Sequence, residues 1–239
     1  FIGQPSLIRF HLDSFLIIED IGTPKLVKIV DLKSNKIQEL IPKGRGPGEV
    51  IVSWGIEILG KDIYVFCGQL RKVIKLTPDL NRTFKITDEF FLDEKQTLRF
   101  HPLKTDILLC LSNIGDDKRL TFLDSKGKII KKIGDYPTFL ASEDIKWDND
   151  IFFSSISASP NGNKIVLACA KTDVLEIYDT DKGLEKRFQG PLGIKLTVNS
   201  QKVGNGFMLH TEPAYMTYGN VIANENEFWV GYSGYKLEK

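Results

Sequence analysis

Long apolar runs, cysteine pairs and an excess of either charge are all missing from this sequence. No stretch of about 18 apolar residues occurs, so no segment is expected to cross a membrane as a helix. Basic and acidic residues number 32 and 31, and the net charge is +1. That balance gives no pull towards nucleic acid or an anionic lipid surface. The densest charge cluster, Asp116-Asp117-Lys118-Arg119, is short and mixed in sign and reads as a solvated turn. Phe1-Ile2-Gly3-Gln4-Pro5 lacks a basic stretch followed by an apolar one, so no signal peptide is visible. A lipid anchor is left to be sought outside this sequence.

Cysteine and histidine are scarce, and neither is arranged for metal. Cys67, Cys110 and Cys169 cannot all pair within one chain, and none belongs to a CxxC. Each ends an apolar run, Ile63 to Cys67, Ile107 to Cys110 and Ile165 to Cys169, so all three are expected as small core residues. His11, His101 and His210 lie far apart, and none has a second His or Cys at ligand spacing. His210-Thr211-Glu212 sets a histidine two positions from a carboxylate; on an extended strand the two would share a face. No metal site and no cofactor are expected. No GxSxG elbow appears, and Ser53 and Ser157 have no supporting pattern for a nucleophile.

What is present is a repeat. With 42% hydrophobic residues the chain has ample material for a core. Five apolar runs, Leu16 to Glu19, Ile63 to Cys67, Ile107 to Leu111, Ile165 to Cys169 and Phe228 to Tyr232, start 47, 44, 58 and 63 positions apart. Just before them stand Asp13-Ser14, Gly60-Lys61-Asp62, Lys104-Thr105-Asp106, Asn161-Gly162-Asn163-Lys164 and Asn224-Glu225-Asn226-Glu227. Residues of this kind supply the tight turns between antiparallel strands. A further strand precedes each turn, and a second hairpin follows each of the first four runs. Helical periodicity is nearly absent, with Thr138 to Lys146 the best candidate.

Four-stranded units at a period of roughly 40–50 residues predict an all-β fold, a six-bladed β-propeller of four-stranded antiparallel blades. The expectation is one propeller domain over 1–239, with blades near 7–41, 55–87, 97–135 and 154–191 and a partial blade at 206–239. A closed six-bladed ring wants more sequence than this, so either the remaining strands lie beyond Lys239, the favoured expectation, or the ring is smaller.

The segment Gly44-Arg45-Gly46-Pro47-Gly48-Glu49-Val50 resembles the GxGPGEF motif of a TolB-like six-bladed propeller family of Bacteroidetes bacteria. It is also similar to the glycine-rich link between NHL repeats. Val50 replaces the usual Phe. Ala214-Tyr215-Met216 and Phe228 to Gly234 resemble the family's late blade. The resemblance implies an exported protein, periplasmic or attached to the outer membrane as a lipoprotein. It brings no catalytic residues. As a phosphate loop the segment fails, because neither a Lys-Ser/Thr pair nor a helix follows Gly48. It reads as a structural link in which Gly44, Gly46, Pro47, Gly48 and Glu49 set the backbone, Glu49 accepts N–H bonds and Arg45 lies exposed.

Aromatic residues supply the candidate site. Trp54, Trp147 and Tyr215 each stand near the start of a first strand, and Arg99 lies on another. Together they are expected to line one mouth of the propeller channel and to bind a glycan, a peptide or a cell-envelope protein. The competing reading packs these aromatics between blades. The leading function is a non-catalytic binding module; the alternative is a lyase or hydrolase acting on glycans or lactones, since fold alone does not decide chemistry. A third reading is a structural partner of an outer-membrane transport complex.

Overall fold

A computed structural model describes residues 2–95, 97–112, 118–137, 152–194, 197–203, 206–212 and 215–236. Among these, the regular structure is β-strand apart from a 3-10 turn at Gly68–Leu70. The segment Thr138 to Lys146 lies outside the described residues.

Among the described residues, twenty strands follow in chain order. The first sheet holds β1 (Pro5–His11), β2 (Phe15–Asp20), β3 (Lys25–Asp31) and β4 (Lys36–Pro42). The second holds β5 (Gly55–Leu59), β6 (Asp62–Cys67), β7 (Lys72–Pro78) and β8 (Phe84–Phe91). The third holds β9 (Thr97–Lys104), β10 (Ile107–Ser112), β11 (Lys118–Asp124) and β12 (Ile129–Asp135). The fourth holds β13 (Ser154–Ala158), β14 (Lys164–Cys169), β15 (Val174–Asp179) and β16 (Gly183–Gln189). In each sheet, spatial order follows chain order. Two hairpins complete the chain: β17 (Thr197–Val203) with β18 (Gly206–Glu212), and β19 (Tyr215–Ala223) with β20 (Phe228–Lys236).

The strand pattern follows from burial. β6 is buried from Ile63 to Cys67 and β14 from Ile165 to Cys169, on both faces, hence their unbroken apolar runs. The fourth strands are far wetter: β16 has no buried residue and β4 only one. Cys67 and Cys169 close β6 and β14, Cys110 lies within β10, and all three thiols are buried.

Contacts divide the chain into two compact units, residues 1–108 with 123–129 and residues 109–122 with 130–239. In the first unit one hydrophobic cluster includes Phe15, Ile17, Ile29, Val50, Ile56, Ile63, Val65, Ile74 and Phe84. Burying each such side chain is worth about 1.5–3 kcal/mol. In the second unit Phe152, Cys169, Val174 and Ile194 form one cluster. Val166, Ala168 and Val221 form another, with Tyr218, Phe228 and Val230 packed against it.

Candidate functional site

The link between β4 and β5 carries the glycine-rich segment. Lys43 and Val50 make an isolated parallel bridge, and Val50 is buried. The loop between them turns back on itself: Gly44 N donates to Val50 O at 3.0 Å and Glu49 N to Gly46 O at 3.2 Å. Glu49 Oε2 accepts from Gly46 N at 2.9 Å, while Pro47 and Arg45 face solvent. Gly48 has φ +71°, a conformation that side chains resist, and its N–H donates to Glu89 Oε2. Lys72, at the start of β7, supports the loop from beneath. Its buried ammonium donates to Gly46 O at 2.8 Å and Glu49 O at 3.2 Å and pairs with Glu89 Oε1 at 3.1 Å. Sequence reasoning missed Lys72, because one lysine at a strand start carries no signal of a partner 26 residues away.

Where the link ends, Trp54 begins the approach to β5. Its N–H donates to Phe66 O at 2.8 Å, and its ring meets Phe66 edge-on with centroids 6.2 Å apart. Gly68 makes room for that ring, since a Cβ there would collide with the indole. Yet Trp54 is still 39% exposed, so one side of the indole faces solvent. The indole therefore packs against Phe66 and still presents surface to solvent.

Arg99 lies beside it on β9. Its Nη1 donates to Trp54 O at 3.5 Å. Burial draws the guanidinium below its ordinary value, and the Glu57 carboxylate opposes that shift. Glu57, on β5, is the hub of a polar cluster. Arg9 Nη2 of β1 lies 3.9 Å from Glu57 Oε1, and His101 Nδ1 of β9 lies 3.4 Å from Glu57 Oε2 without a hydrogen bond. The first strands of three consecutive sheets therefore contribute Arg9, Glu57, Arg99 and His101, with Trp54 at the edge. Glu57 and Arg9 carried no sequence signal, and His101 found its carboxylate only through the pairing of sheets.

Tyr215 opens β19 in the second unit, half-buried against the Phe152 cluster. Trp147 lies outside the described residues, as do the side chains of His210 and Glu212 on β18. No group of three or more His, Cys, Asp or Glu side chains suited to a metal occurs among the described residues.

Exposed indole, two arginines, one histidine and one carboxylate can stack on a planar group and donate to acceptors around it. They do not by themselves specify a reaction.

Four-stranded antiparallel sheets following one another along the chain define the blades of a β-propeller. The chain belongs to the TolB-like 6-blade propeller-like family, whose match spans residues 1–239. Among curated proteins, no relative matches. Solved structures resemble it in fold. A putative exported protein from Bacteroides fragilis is 19% identical with a TM-score of 0.51, over 77% of this chain and 50% of that one. A DUF4221 family member from Bacteroides vulgatus is 13% identical with a TM-score of 0.55, over 79% and 58%. The β-propeller domain of Myceliophteria thermophila Cps50 (Swd1) is 16% identical with a TM-score of 0.54, over 90% and 66%. The chain thus spans between half and two thirds of these proteins' lengths. Among the described residues no helix is long and apolar enough to cross a membrane.

Proposed function

We propose that this propeller is a binding module that takes a glycan, peptide or protein partner on the face bearing Trp54, Arg9, Glu57, Arg99 and His101. The observation that carries this reading is the cluster itself. Three cationic or protonatable side chains surround a single carboxylate, beside an indole that stays 39% exposed despite its edge contact with Phe66. Polar groups converging beside an aromatic surface are the common make-up of a recognition site.

An exported location belongs to the same proposal, in the cell envelope of a Bacteroidetes bacterium, with a lipid anchor outside this sequence. The family and the similarity to a Bacteroides fragilis protein described as a putative exported protein support it.

The test is a glycan and peptide array probed with the whole chain, followed by calorimetry on the best binder. Trp54→Ala and Arg99→Gln are expected to weaken that binding at least about tenfold, or about 1.4 kcal/mol each. A confirmed binder that both variants hold as tightly as the parent would refute this face. The Glu57–His101 pair favours a second reading, acid–base chemistry on a bound glycan or lactone. Turnover abolished by both Glu57→Gln and His101→Gln would establish it; substrate screens without turnover would end it.

A further inference from the structure

We propose that a cleft of about 360 Å³ between two turns of the first unit is a separate binding site, for a carboxylate carried on a short apolar group. The turns are those joining β3 to β4 and β7 to β8, remote in sequence from the residues assigned above.

Arg82 organises the cleft. It is a non-glycine residue at φ +64°, held there by the Asp79 side chain, which accepts from Asn81 N and Thr83 N. That conformation is uncommon for a long side chain. Its guanidinium lies over the Phe15 ring at 4.3 Å and grips Asp31 with two bonds, Nε to Oδ2 at 2.8 Å and Nη2 to Oδ1 at 2.7 Å. Nη2 also donates to Ser14 Oγ at 2.9 Å. Nη1 donates to nothing among the described residues.

Gln38 and Lys36 add further donors, while the side chains of Asn81 and Thr83 can donate or accept. Gln38 Oε1 accepts from Phe84 N at 2.9 Å, which fixes the amide orientation and leaves both Nε2 hydrogens unspent. Lys36 is exposed and has no ion pair among the described residues. The one carboxylate in the cleft, Asp31, is fully engaged by Arg82, Lys33 N and Ser34 Oγ. Donors therefore outnumber acceptors. Asp31 neutralises Arg82, which leaves Lys36 as the single uncompensated charge. A monoanion balances it. Ile37, 52% exposed, supplies the apolar lining for the group beside that anion, backed by the buried Phe15 and Ile29.

Two sources share this chemistry: a free carboxylic acid, and the last residue of a peptide. Calorimetry on the whole chain with 3-phenylpropionate and with a tripeptide acetyl-Gly-Gly-Phe tests both, against 3-phenylpropanamide and the amidated tripeptide. Saturable binding of either acid, with neither amide bound, supports the proposal; the tighter acid names the source. Gln38→Glu keeps the acceptor for Phe84 N and removes the donors, and is expected to weaken the acid about tenfold or more. Lys36→Ala, at an exposed position, is expected to weaken it as well. Trp54→Ala is expected to leave it unchanged, which separates this site from the face proposed above. The proposal is overturned if no acid saturates, if the amides bind equally, or if Gln38→Glu and Lys36→Ala both bind like the parent.

Discussion

Arg119 and Glu176 form a salt bridge, Nε to Oε2 at 2.9 Å, in which the two side chains are only 1% and 0% exposed. Arg119 also donates to Phe152 O at 2.8 Å and Ser154 Oγ at 3.0 Å, and Arg187 reaches the other oxygen of Glu176 at 2.7 Å. Burial pulls the Arg119 guanidinium down, but Glu176 together with Cys169, Tyr178 and Tyr136 outweighs that and raises it. Removing one partner strands a buried charge. Arg119→Met and Glu176→Gln are each expected to cost about 3–5 kcal/mol, measured as urea unfolding. The double variant is expected to lose much less than the two losses together.

Lys72 is expected to matter to the glycine-rich link in the same way. Lys72→Met leaves the carbonyls of Gly46 and Glu49 and the Glu89 carboxylate without their shared donor. A loss of about 3 kcal/mol is expected in denaturant. Early amide exchange over 43–54 would show that the link opens first.

Acid should unfold the protein in a defined window. The N–H groups of Lys182 and Asp181, with the Lys164 ammonium, hold the Asp179 carboxyl at about 2, below its ordinary 3.8. Burial pushes Asp20 upward, but donors from Gly3, Gln4, Gly22 and Lys28 outweigh it and hold it well below the carboxylate range. Arg82 lowers Asp31 likewise. Lowered carboxyls bind fewer protons folded than unfolded, so their stabilisation is present above about pH 4 and lost as pH falls towards 2. Urea midpoints are expected to fall through that window, and Asp179→Asn to flatten the slope.

The thiols should be silent in the folded state. Cys67, Cys110 and Cys169 are buried, and burial pushes the Cys169 thiol up, away from its reactive form. A thiol reagent is expected to find none of the three in native protein and all of them in guanidinium. A fast-reacting thiol at neutral pH would contradict the packing around β6, β10 and β14.

The blades were legible because each central strand is an apolar run fenced by turn residues. Asn161 to Lys164 before β14 and Gly60-Lys61-Asp62 before β6 are examples. β17 was not foreseen: Thr-Val-Asn-Ser-Gln-Lys-Val carries little apolar alternation, and its strand exists through its pairing with β18.

Local sequence alone determined the all-β class, the hairpin unit, the buried cysteines and the bent link at Gly44 to Val50, because turn chemistry and strand alternation act over a few residues. Tertiary structure alone decided that Glu57 meets His101 and Arg9, that Arg82 closes on Asp31, and that Lys72 lies under Gly46. Those pairings depend on which strands stand side by side. A charged side chain declares its type in the sequence, but it acquires a partner only when sheet packing brings one within reach and strips the water from between them.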